Sequence, residues 1–536
     1  MKLVEIRELD GPNIFLLEPA MKVEFRLESD ADEANALARI SAESGVSADD
    51  LGAAWIALVD LLHERAGLES PATVVVPLEE ADHVALAFGW SHRRAGRLVA
   101  TAIANLTLGI PVDFDNVIAA LATYHQHVDP DDRPEMIRDT ERRVPTVGIT
   151  ATNGKTTTTR LLSHIVRTAG SRPGWCSTSG VFIDGTPVLT GDYTGPSGAR
   201  RVLLDDAVDV AVLETARGGI LLRGLGYESN DVSVFINVSP DHLGLHGVFT
   251  VEGLARVKST VIAVTKPDGF AVLNAEDPLV WGMREVTRAR IVAVSQHDRA
   301  DVVESTVRNG GAAMVVRNGA LLWLDGDRKT ELLRVEEIPI TYGGRAAHMV
   351  ENALCAASAA LALGYSPDTV AEGLRSFSSS AESNPGRLNA YRYRDAMVLL
   401  DFAHNEAGLT HLLLLARSLV EGQGKVRVVI GSAGDRPDEA IRAMARIAGE
   451  QADAVYARET AKYLRGRASN EELNQLYLAG LAEAGAEPVA IYPSELDAVM
   501  AAVNDCRPGD VVVSMSYEQG EASRQWLLEA GAQPVG

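Results

Sequence analysis

The chain has 536 residues, which is too long for one ordinary domain, so we expect two to four domains. A hydrophobic content of 46% with 23% charged residues is typical of a soluble globular protein. The formal net charge of −23 argues against nucleic acid or an anionic membrane as a partner.

The cysteines and the N-terminus bear on location. Cys176, Cys355 and Cys506 are isolated in the sequence and match no metal-ligand spacing, which is typical of a reduced compartment. The N-terminus MKLVEIRELDG is charged within its first few residues, unlike a signal peptide. No apolar run approaches the ~20 residues that a membrane-spanning helix needs. We therefore expect a cytoplasmic protein, and we expect it to form a homo-oligomer.

Residues 1–144 mix short strands with helices. The segments MKLVEIREL and MKVEFRLE alternate between apolar and polar residues, as strands do, and ATVVVPL resembles a third strand. ADEANALARISAESG and AAWIALVDLLHERAG have the periodicity of helices. We predict an N-terminal α+β domain over 1–144.

From Val144 onward the pattern changes. VPTVGIT, VDVAVLE and DVSVFINV are short, nearly all-apolar runs, which indicate buried parallel strands with helices between them. Between about 292 and 342, the pairs Asn309-Gly310, Asn318-Gly319 and Asp325-Gly326 predict β-hairpins at an edge of the sheet. We predict an α/β domain with a parallel sheet over 145–386.

Beyond Arg387 the β/α alternation resumes. AMVLLDFAHN, VRVVIGSAG, DAVYARE, PVAIYP and DVVVSMS each indicate a buried strand. We predict a second, Rossmann-like doubly wound domain over 387–536.

One segment has the layout of a phosphate-binding loop. The apolar strand TVGIT leads into ATNGK and then into the helical TTTTRLLSHIVRTAG, and a helix N-terminus after a strand favours anions. Lys155 would supply a charge for the β- and γ-phosphates, and Thr156 a hydroxyl for Mg²⁺. Strict Walker A spacing fails, because Ile149 stands where the first glycine belongs. The alternative is a glycine-containing turn that only joins strand to helix.

The string TATNGKTTT resembles the TGTNGKTTT loop of the Mur ligase superfamily, ATP-dependent enzymes that form amide bonds. That family also departs from Walker spacing, so the resemblance predicts a P-loop in the 145–386 domain. Ala151 stands where the family has glycine, and its methyl group predicts weaker or altered nucleotide affinity. The resemblance implies ATP contacts for Thr152, Asn153, Gly154, Lys155, Thr156 and Thr157.

A second stretch, at 206–258, is very similar to the Mur-like half of cyanophycin synthetases. It contains DAVDVAVLETARGGILLRGLGYESNDVSVFINVSPDHLGL and LARVKSTV. The resemblance implies that Glu214 and His242 bind Mg²⁺ and that Lys258 is the lysine that many Mur ligases carry as a carbamate. With Lys155, these three would form the catalytic set, since two metals and a lysine neutralise phosphate charge. The alternatives are a surface carboxylate, a hydrogen-bonded structural histidine and an exposed helix lysine.

Further matches imply contacts to the nucleotide. In AVLNAEDPLV, Asn274 would meet the adenine, and Asp277 would help to shape the adenine wall. In HMVENALCAASAALALG, Asn352 is kept, whereas Met349 replaces the first asparagine of the family's helix.

The last domain supplies three more expected ATP contacts. In NPGRLNAY, Arg387 would meet a phosphate. In LLDFAHNEAGL, Asp401 would meet the ribose and His404 would stand near the phosphates. The alternative for Asp401 is a helix N-cap.

Two loops are candidates for substrate binding. Gly434 and Asp435, in GSAGDRPDE, are expected to face the cleft. The stretch 459–473, ETAKYLRGRASNEEL, resembles the part of cyanophycin synthetases where the incoming amino acid binds. Its basic residues Lys462, Arg465 and Arg467 suit a carboxylate. The equal alternative is a solvated helix start with i,i+4 pairing to Glu471 and Glu472.

The opening VEIRELDGPNIF also resembles cyanophycin synthetases, so the resemblance covers nearly the whole chain. Those enzymes carry an ATP-grasp domain between the two regions, and residue 144 leads straight into the Mur-like part. The resemblance implies a ligase that uses ATP and Mg²⁺ to join an amino acid to a carboxylate acceptor through an acyl phosphate. Arginine is the first guess for the amino acid, and an aspartyl-type peptide or a small acid for the acceptor.

The expected ATP site lies between the Lys155 loop and the last domain, which would close over it to exclude water. Two other functions stay open. One is a glutamate ligase like folylpolyglutamate synthetase. The other is a catalytically degenerate nucleotide-binding scaffold that partners a separate ATP-grasp enzyme, as Ala151 and Met349 would suggest. The retained metal residues argue against the scaffold.

Overall fold

The computed structural model describes residues 1–126 and 129–535. The chain divides into two compact units. The first comprises Met1–Ala151, Gly170–Val238 and Leu243–Val292, and the second comprises Thr152–Ala169, Ser239–His242 and the chain from Ala293 onward. Over the described part of the chain, no helix is both long and apolar enough to cross a membrane.

The N-terminal segment of the first unit is a four-stranded antiparallel sheet covered by helices. Its elements are β1 (Lys2–Leu9), β2 (Ala20–Arg26), α1 (Asp30–Ser44), α2 (Leu51–Arg65), β3 (Thr73–Pro77), β4 (His83–Gly89), α3 (Arg93–Leu108) and α4 (Phe114–Gln126). The strand order is β1-β2-β4-β3. Alternate residues of β2, Met21, Val23 and Phe25, are buried in a core shared with the helices. All five elements predicted in this segment are confirmed.

The middle of the chain alternates strands and helices. Its elements are β5 (Thr146–Thr150), α5 (Lys155–Thr168), β6 (Pro173–Ser177), β7 (Gly180–Ile183), β8 (Thr186–Thr190), α6 (Pro196–Leu203), β9 (Val210–Glu214), α7 (Arg217–Arg223), β10 (Asn230–Phe235), α8 (Val251–Ala263), β11 (Thr265–Asn274), α9 (Pro278–Gly282), β12 (Arg290–Ser295), α10 (Ala300–Arg308), β13 (Ala312–Arg317), β14 (Ala320–Asp325), β15 (Arg328–Arg334), α11 (Ala347–Ala362) and α12 (Pro367–Ser376).

Within the first unit, these strands follow the order β11-β10-β5-β9-β6-β7-β8. The strands from β11 to β6 are parallel, and the β6–β7–β8 hairpins are antiparallel. Every residue of β5 and β9 is buried, which explains their nearly all-apolar sequences. Ile149 lies opposite Glu214, so the chain segments that follow β5 and β9 begin at the same edge of the sheet. The predicted parallel sheet is confirmed.

The hairpin prediction is confirmed at two of three places. Arg317 pairs with Ala320, and Asn318 and Gly319 between them have φ values of 52° and 77°, as a tight hairpin turn requires. Asp325 pairs with Arg328 across the β14–β15 turn. The prediction of a hairpin at Asn309-Gly310 is wrong, because this pair ends α10, with Gly310 at φ 86°. Asn-Gly suits the left-handed end of a helix as well as a hairpin turn.

The C-terminal part of the second unit is a doubly wound sheet. Its elements are β16 (Asn389–Tyr393), β17 (Ala396–Asp401), α13 (Glu406–Leu419), β18 (Val426–Ile430), α14 (Asp438–Gln451), β19 (Ala454–Arg458), α15 (Asn470–Glu483), β20 (Pro488–Tyr492), α16 (Glu495–Asn504), β21 (Val511–Met515), α17 (Gly520–Glu529) and β22 (Gln533–Val535). The order is β20-β19-β18-β21-β17-β16-β22, with the first five strands parallel.

This arrangement confirms the second α/β sheet. Because parallel strands end at one edge, the loops after β17, β18, β19 and β21 share that edge. The expected contacts Asp401, Asp435 and Lys462 all lie on these loops or at the strand ends that lead into them.

Candidate active site

The phosphate loop leads directly into a helix. Gly154 is the N-cap of α5 with φ 89°, and Lys155 is the first residue of the helix. A Cβ atom at Gly154 would lie 2.2 Å from Asn352 Oδ1, so both backbone conformation and space require glycine. The structure therefore brings the predicted residues Gly154 and Asn352 together. Thr156 and Thr157 are buried in the first turn.

The side chains of this loop are held by neighbours within the second unit. Lys155 Nζ donates to the Thr152 carbonyl at 2.9 Å. Thr152 Oγ1 donates to the Ser239 carbonyl at 3.2 Å and accepts from Ser239 N at 3.0 Å. Thr152 thus fixes the start of the short segment Ser239–His242, which carries the predicted metal ligand His242.

Asn153 is paired with a residue far away in the sequence. Its Nδ2 donates to Asn405 Oδ1 at 3.2 Å, and Asn405 Nδ2 donates to Asn153 Oδ1 at 3.1 Å. Asn405 also caps α13 by accepting from Gly408 N at 2.9 Å. The amide of Asn405 therefore fixes both a helix start and the phosphate loop.

His242 lies in a group of side chains that could hold a metal ion. Ligand atoms of Asp241, His242 and His404 all lie within 4.8 Å of one another. The His242 Nε2 atom is 3.9 Å from Asp241 Oδ1, and the His404 Nε2 atom is 3.9 Å from Asp241 Oδ2. His242 has a φ of 51°, a strained value for a residue with a side chain, as often occurs at functional sites.

The charges in this cluster are strongly coupled. His404 Nδ1 is 2.9 Å from the Phe402 carbonyl, so Nδ1 carries the proton of the neutral ring and Nε2 offers a lone pair towards Asp241. Burial lowers the pKa of His404 to about 4, although Asp241 opposes this shift. Burial alone would raise the pKa of Asp241, but His404, His242, Arg436 and Lys155 together lower it to about 2. Arg436 lies nearest to Asp241 among these groups, with Nη1 at 3.2 Å from Asp241 Oδ1.

Two expected catalytic residues lie in the first unit. Lys258, on α8, is 3% exposed, and its Nζ donates to the Ala151 carbonyl at 2.7 Å. Glu214, at the end of β9, is 1% exposed. The alternatives of an exposed helix lysine and a surface carboxylate are therefore wrong.

Ala151 is buried and does not adopt the left-handed conformation, so its backbone has no need of glycine.

The expected magnesium ligands have suitable chemistry. The hydroxyl of Thr156 and the carboxylate of Glu214 are hard oxygen donors, which Mg²⁺ prefers. Gly154 keeps the start of α5 free of a side chain that would collide with Asn352. These features fit an ATP·Mg²⁺ complex.

The residues expected at the adenine have backbone partners. Asn274 Oδ1 accepts from Glu276 N at 2.9 Å. Asp277 caps α9 through Leu279 N and Val280 N, and its other oxygen accepts from Val238 N at 2.8 Å. The adenine contacts of Asn274 and Asp277 stay predictions.

The residues expected at the ribose and phosphates lie just before β16 and at the end of β17 or just after it. Asp401 accepts from Leu388 N at 2.7 Å and Ala403 N at 2.6 Å. It is not the N-cap of α13, because Asn405 has that position. Burial raises the pKa of Asp401, while Arg387 and the two backbone donors oppose the shift. The Arg387 guanidinium stacks 4.5 Å from the Phe402 ring.

The substitution at Met349 has a local consequence. Asn352 Nδ2 lies 3.6 Å from Met349 Sδ, a weak acceptor. Met349 thus buttresses Asn352 from the same face of α11, since the two are one turn apart.

The expected substrate loops bind each other. A Cβ atom on Gly434 would lie 2.0 Å from the Leu464 carbonyl oxygen, so glycine permits the close contact. Arg465 pairs with Asp435 at 2.7 Å. Arg467 donates to the carbonyl oxygens of Gly434 at 2.9 Å and Arg436 at 3.0 Å, and pairs with Asp438 at 2.5 Å.

These contacts overturn the alternative of i,i+4 pairing to Glu471 and Glu472. Arg465 and Arg467 reach the loop after β18 instead, because β18 and β19 are adjacent parallel strands and their loops leave the same edge. Lys462 and Arg465 are both exposed, whereas Arg467 is half-buried. Arg465 is nevertheless held by its ion pair with Asp435.

A buried carboxylate anchors the Lys462 loop. Glu518 accepts from Ala461 N at 2.9 Å, Lys462 N at 2.7 Å and Thr460 Oγ1 at 2.9 Å. It also pairs with Arg458 at 2.8 Å. The position of Lys462 is therefore set by the loop after β21.

Sequence reasoning missed four residues at these sites, namely Asp241, Asn405, Arg436 and Glu518. The first three adjoin predicted residues in the strings SPDHLG, AHNE and GDR, so proximity in sequence could have suggested them. Glu518 adjoins no predicted residue, and only the fold reveals it.

The comparisons with known proteins agree with this architecture. Residues 149–360 match the Mur ligase middle domain, and residues 386–517 match the Mur ligase, glutamate ligase domain. The chain therefore belongs to the Mur ligase superfamily.

The chain is similar to two kinds of curated relative. Cyanophycin synthetase of Nostoc sp. is 41% identical over 363 residues, which cover 67% of this chain and 39% of that protein. UDP-N-acetylmuramoyl-L-alanyl-D-glutamate--2,6-diaminopimelate ligase of Geobacillus kaustophilus is 28% identical over 385 residues, covering 69% of this chain and 73% of that protein. The chain thus spans about two fifths of the length of the cyanophycin synthetase that it matches.

Two solved structures share the fold. E. coli FolC in complex with DHPP and ADP has a TM-score of 0.54 at 20% identity and covers 72% of this chain and 89% of that chain. A bifunctional folylpolyglutamate synthase/dihydrofolate synthase with Mn, AMPPNP and L-glutamate bound has a TM-score of 0.51 at 21% identity, with the same coverage. At these identities the likeness concerns the fold alone.

Proposed function

We propose that the protein is an ATP-dependent carboxylate–amine ligase of the Mur type with three regions, 1–144, 145–386 and 387–536. The observation that carries this proposal is the phosphate loop. Gly154 caps α5 in a conformation and a space that only glycine fits, and Lys155 follows at the helix start. The similarity to cyanophycin synthetase over 67% of this chain supports amide-bond formation as the reaction.

In this proposal an oxygen of the acceptor carboxylate attacks the γ-phosphorus of ATP, and ADP leaves. The amine of the amino acid then attacks the acyl carbon, phosphate leaves, and the nitrogen loses a proton to give the amide. Lys155 binds the β- and γ-phosphates, and Arg387 and His404 also contact the phosphates. Asn274 contacts the adenine, and Asp401 contacts the ribose. Thr156, Glu214, His242 and, once carbamylated, Lys258 would hold Mg²⁺, which neutralises phosphate charge.

The remaining loop residues would orient the nucleotide and the incoming amino acid. Asn153 and Asn352 shape the cradle around Gly154 in this proposal. Lys462 is the group we assign to a substrate carboxylate, because its ammonium is exposed. Arg465, Arg467, Gly434 and Asp435 shape the same loops, since they bind one another.

The test is phosphate release from ATP and Mg²⁺, with the twenty amino acids screened against aspartyl and glutamyl peptide acceptors. We expect release that needs one amine and one acceptor together. It should vanish in Lys155→Ala and persist in Lys329→Ala, which removes an exposed lysine from β15.

Other outcomes would identify a different function. Release only with glutamate and a pteroate acceptor would indicate a folylpolyglutamate-synthetase-like enzyme. ATP binding without turnover on any acceptor would contradict the ligase. If turnover then appeared only after a separate ATP-grasp enzyme was added, the nucleotide-binding scaffold would be the better description.

A further inference from the structure

A glutamate of the N-terminal segment binds the start of the helix that carries Lys258. Glu79 lies just after β3 in the sequence, and α8 begins at Val251. Glu79 Oε2 accepts from Phe249 N at 2.7 Å and from Thr250 N at 2.9 Å. Its Oε1 accepts from Thr250 Oγ1 at 2.9 Å. All of these residues belong to the first unit.

Glu79 also sets the orientation of the helix cap. Thr250 is the N-cap of α8, and its Oγ1 accepts from Gly253 N at 2.9 Å. Because the Thr250 hydroxyl hydrogen is donated to Glu79, its oxygen lone pairs are directed at the helix N–H. A carboxylate at this end also interacts favourably with the helix dipole. Glu79 thus completes a cap that Thr250 begins.

Gly253 of α8 lies in close contact with the Glu79 side chain. A Cβ atom there would lie 1.6 Å from Glu79 Oε1, and the three nearest atoms all belong to that carboxylate. The backbone of Gly253 is ordinary helix, so conformation does not require glycine. Glycine inside a helix costs about 1 kcal/mol relative to alanine. An alanine at this position would push the carboxylate of the exposed, flexible Glu79 side chain away from the helix cap.

The same helix carries Lys258 to the phosphate loop. Lys258 lies eight residues after Thr250, which is about 12 Å along the helix axis. Its Nζ is fixed on the Ala151 carbonyl at 2.7 Å. A helix moves as a rigid rod, so a shift at the cap displaces the ammonium, and misplacement of about 1 Å can cost 10²-fold in rate.

We propose that Glu79 is a positioning residue for Lys258, so that the N-terminal segment influences the ligase reaction through α8. This inference rests on the proposed function for its effect on turnover. The geometry of Lys258 can be tested without turnover. Glu79 itself touches no substrate in this proposal, and it acts through α8.

The experiment is a double-mutant cycle on the full chain, with Glu79→Ala, Gly253→Ala and the double variant. Glu80→Ala is the matched control, since Glu80 is exposed and adjacent. The first readout is the rate at which acetic anhydride labels the Lys258 amine in CO₂-free buffer, in which no carbamate blocks the amine. Labelling is measured by mass spectrometry under native conditions. We expect each single variant to label Lys258 at least fivefold faster than wild type. The exposed Lys329 should label equally in all variants.

The double variant makes the test specific. Once Glu79 is shortened, the new methyl group of Gly253→Ala enters empty space, so the double variant should label no faster than Glu79→Ala alone. In turnover, we expect kcat to fall about tenfold in each single variant with the KM for the amine unchanged. Glu79→Gln, which keeps one acceptor oxygen, should recover part of kcat.

Three results would overturn the proposal. The first is a Lys258 labelling rate in Glu79→Ala equal to that of wild type. The second is a double variant in which the two effects on the labelling rate add. The third is a variant with a lower protein yield or stability but an unaltered kcat. Wild-type enzyme without amine-dependent phosphate release would instead refute the proposed function. The labelling cycle would still decide the role of Glu79.

Discussion

The side chains of Asn153 and Asn405 hydrogen-bond to each other twice, at 3.2 Å and 3.1 Å, across 252 residues of sequence. One residue belongs to the phosphate loop, and the other begins α13. Since Asn405 also caps its own helix, one amide connects the phosphate loop with the start of the first helix of the C-terminal sheet.

Replacement of Asn405 should therefore affect both properties. Asn405→Ala should lower the free energy of unfolding by about 1–2 kcal/mol, through the lost cap and the lost amide pair. Asn405→Asp keeps the cap but cannot donate to Asn153 Oδ1, so it should raise the KM for ATP severalfold with a smaller loss of stability. Denaturant unfolding and ATP titration measure these effects.

Ser494→Ala is the matched control. Ser494 caps α16 in the same sheet and has no contact with the phosphate loop in the described structure. The Ser494→Ala variant should lose about 1 kcal/mol of the free energy of unfolding, and its KM for ATP should stay unchanged. An equal KM in Asn405→Asp and wild type would contradict the coupling.

The second prediction concerns Gly154. Gly154→Ala places a Cβ atom 2.2 Å from Asn352 Oδ1 at a φ of 89°. The left-handed conformation alone costs about 1–2 kcal/mol, and the clash must also displace Asn352. We expect ATP affinity to fall at least tenfold by isothermal titration.

Gly170→Ala separates strain from the clash. Gly170 has a φ of 81°, but no atom lies within 4 Å of the position of a new Cβ. It should show the conformational cost in thermal unfolding and leave ATP affinity unchanged. Equal ATP affinities in Gly154→Ala and Gly170→Ala would show that the fit to Asn352 is unimportant.

Much of the fold could be predicted because local pattern determines it. Runs such as TVGIT and VAVLE are nearly all apolar and buried at every position, as expected for strands covered on both faces. Gly154 and Lys155 stand at a strand-to-helix junction that the sequence also shows. The Asn309-Gly310 error has the opposite cause, since the same dipeptide serves a helix end and a hairpin.

The partners of the site residues could not be predicted in the same way. Sequence reasoning considered Arg465 and Arg467 with their i,i+4 neighbours, yet both pair with the loop after β18. Asp241 meets Arg436 across 195 residues. Such pairs depend on which strands lie side by side, and no local pattern specifies that order.

The third prediction concerns pH. Burial lowers the native pKa of His404 to about 4, from an ordinary value of 6.5. Between these values, the unfolded chain takes up a proton that the native chain does not. The free energy of unfolding should therefore fall as the pH drops from 6.5 to 4. The contribution of Asp241, whose pKa is lowered from 3.8 to about 2, is fully present throughout this window.

His404→Gln should make stability less dependent on pH in this window. Denaturant unfolding at pH 7.5 and pH 5 measures the difference for wild type and variant. His297→Gln, which removes an exposed imidazole, is the control. If His404→Gln kept the pH dependence of wild type, the result would contradict a half-buried His404 that is neutral in the native state.

The last prediction separates binding from structure for Lys462 and Arg467, two basic residues of the loop after β19. Arg467 has three acceptors in the neighbouring loop, so Arg467→Ala should lower the free energy of unfolding by about 1–3 kcal/mol. Lys462 is exposed, so Lys462→Ala should leave stability within about 0.5 kcal/mol. If Lys462 binds a substrate carboxylate, its loss should raise one substrate KM about tenfold and leave the KM for ATP unchanged. Initial rates at varied amine, acceptor and ATP measure this. Unaltered KM values for all three in Lys462→Ala would assign the loop a structural role only.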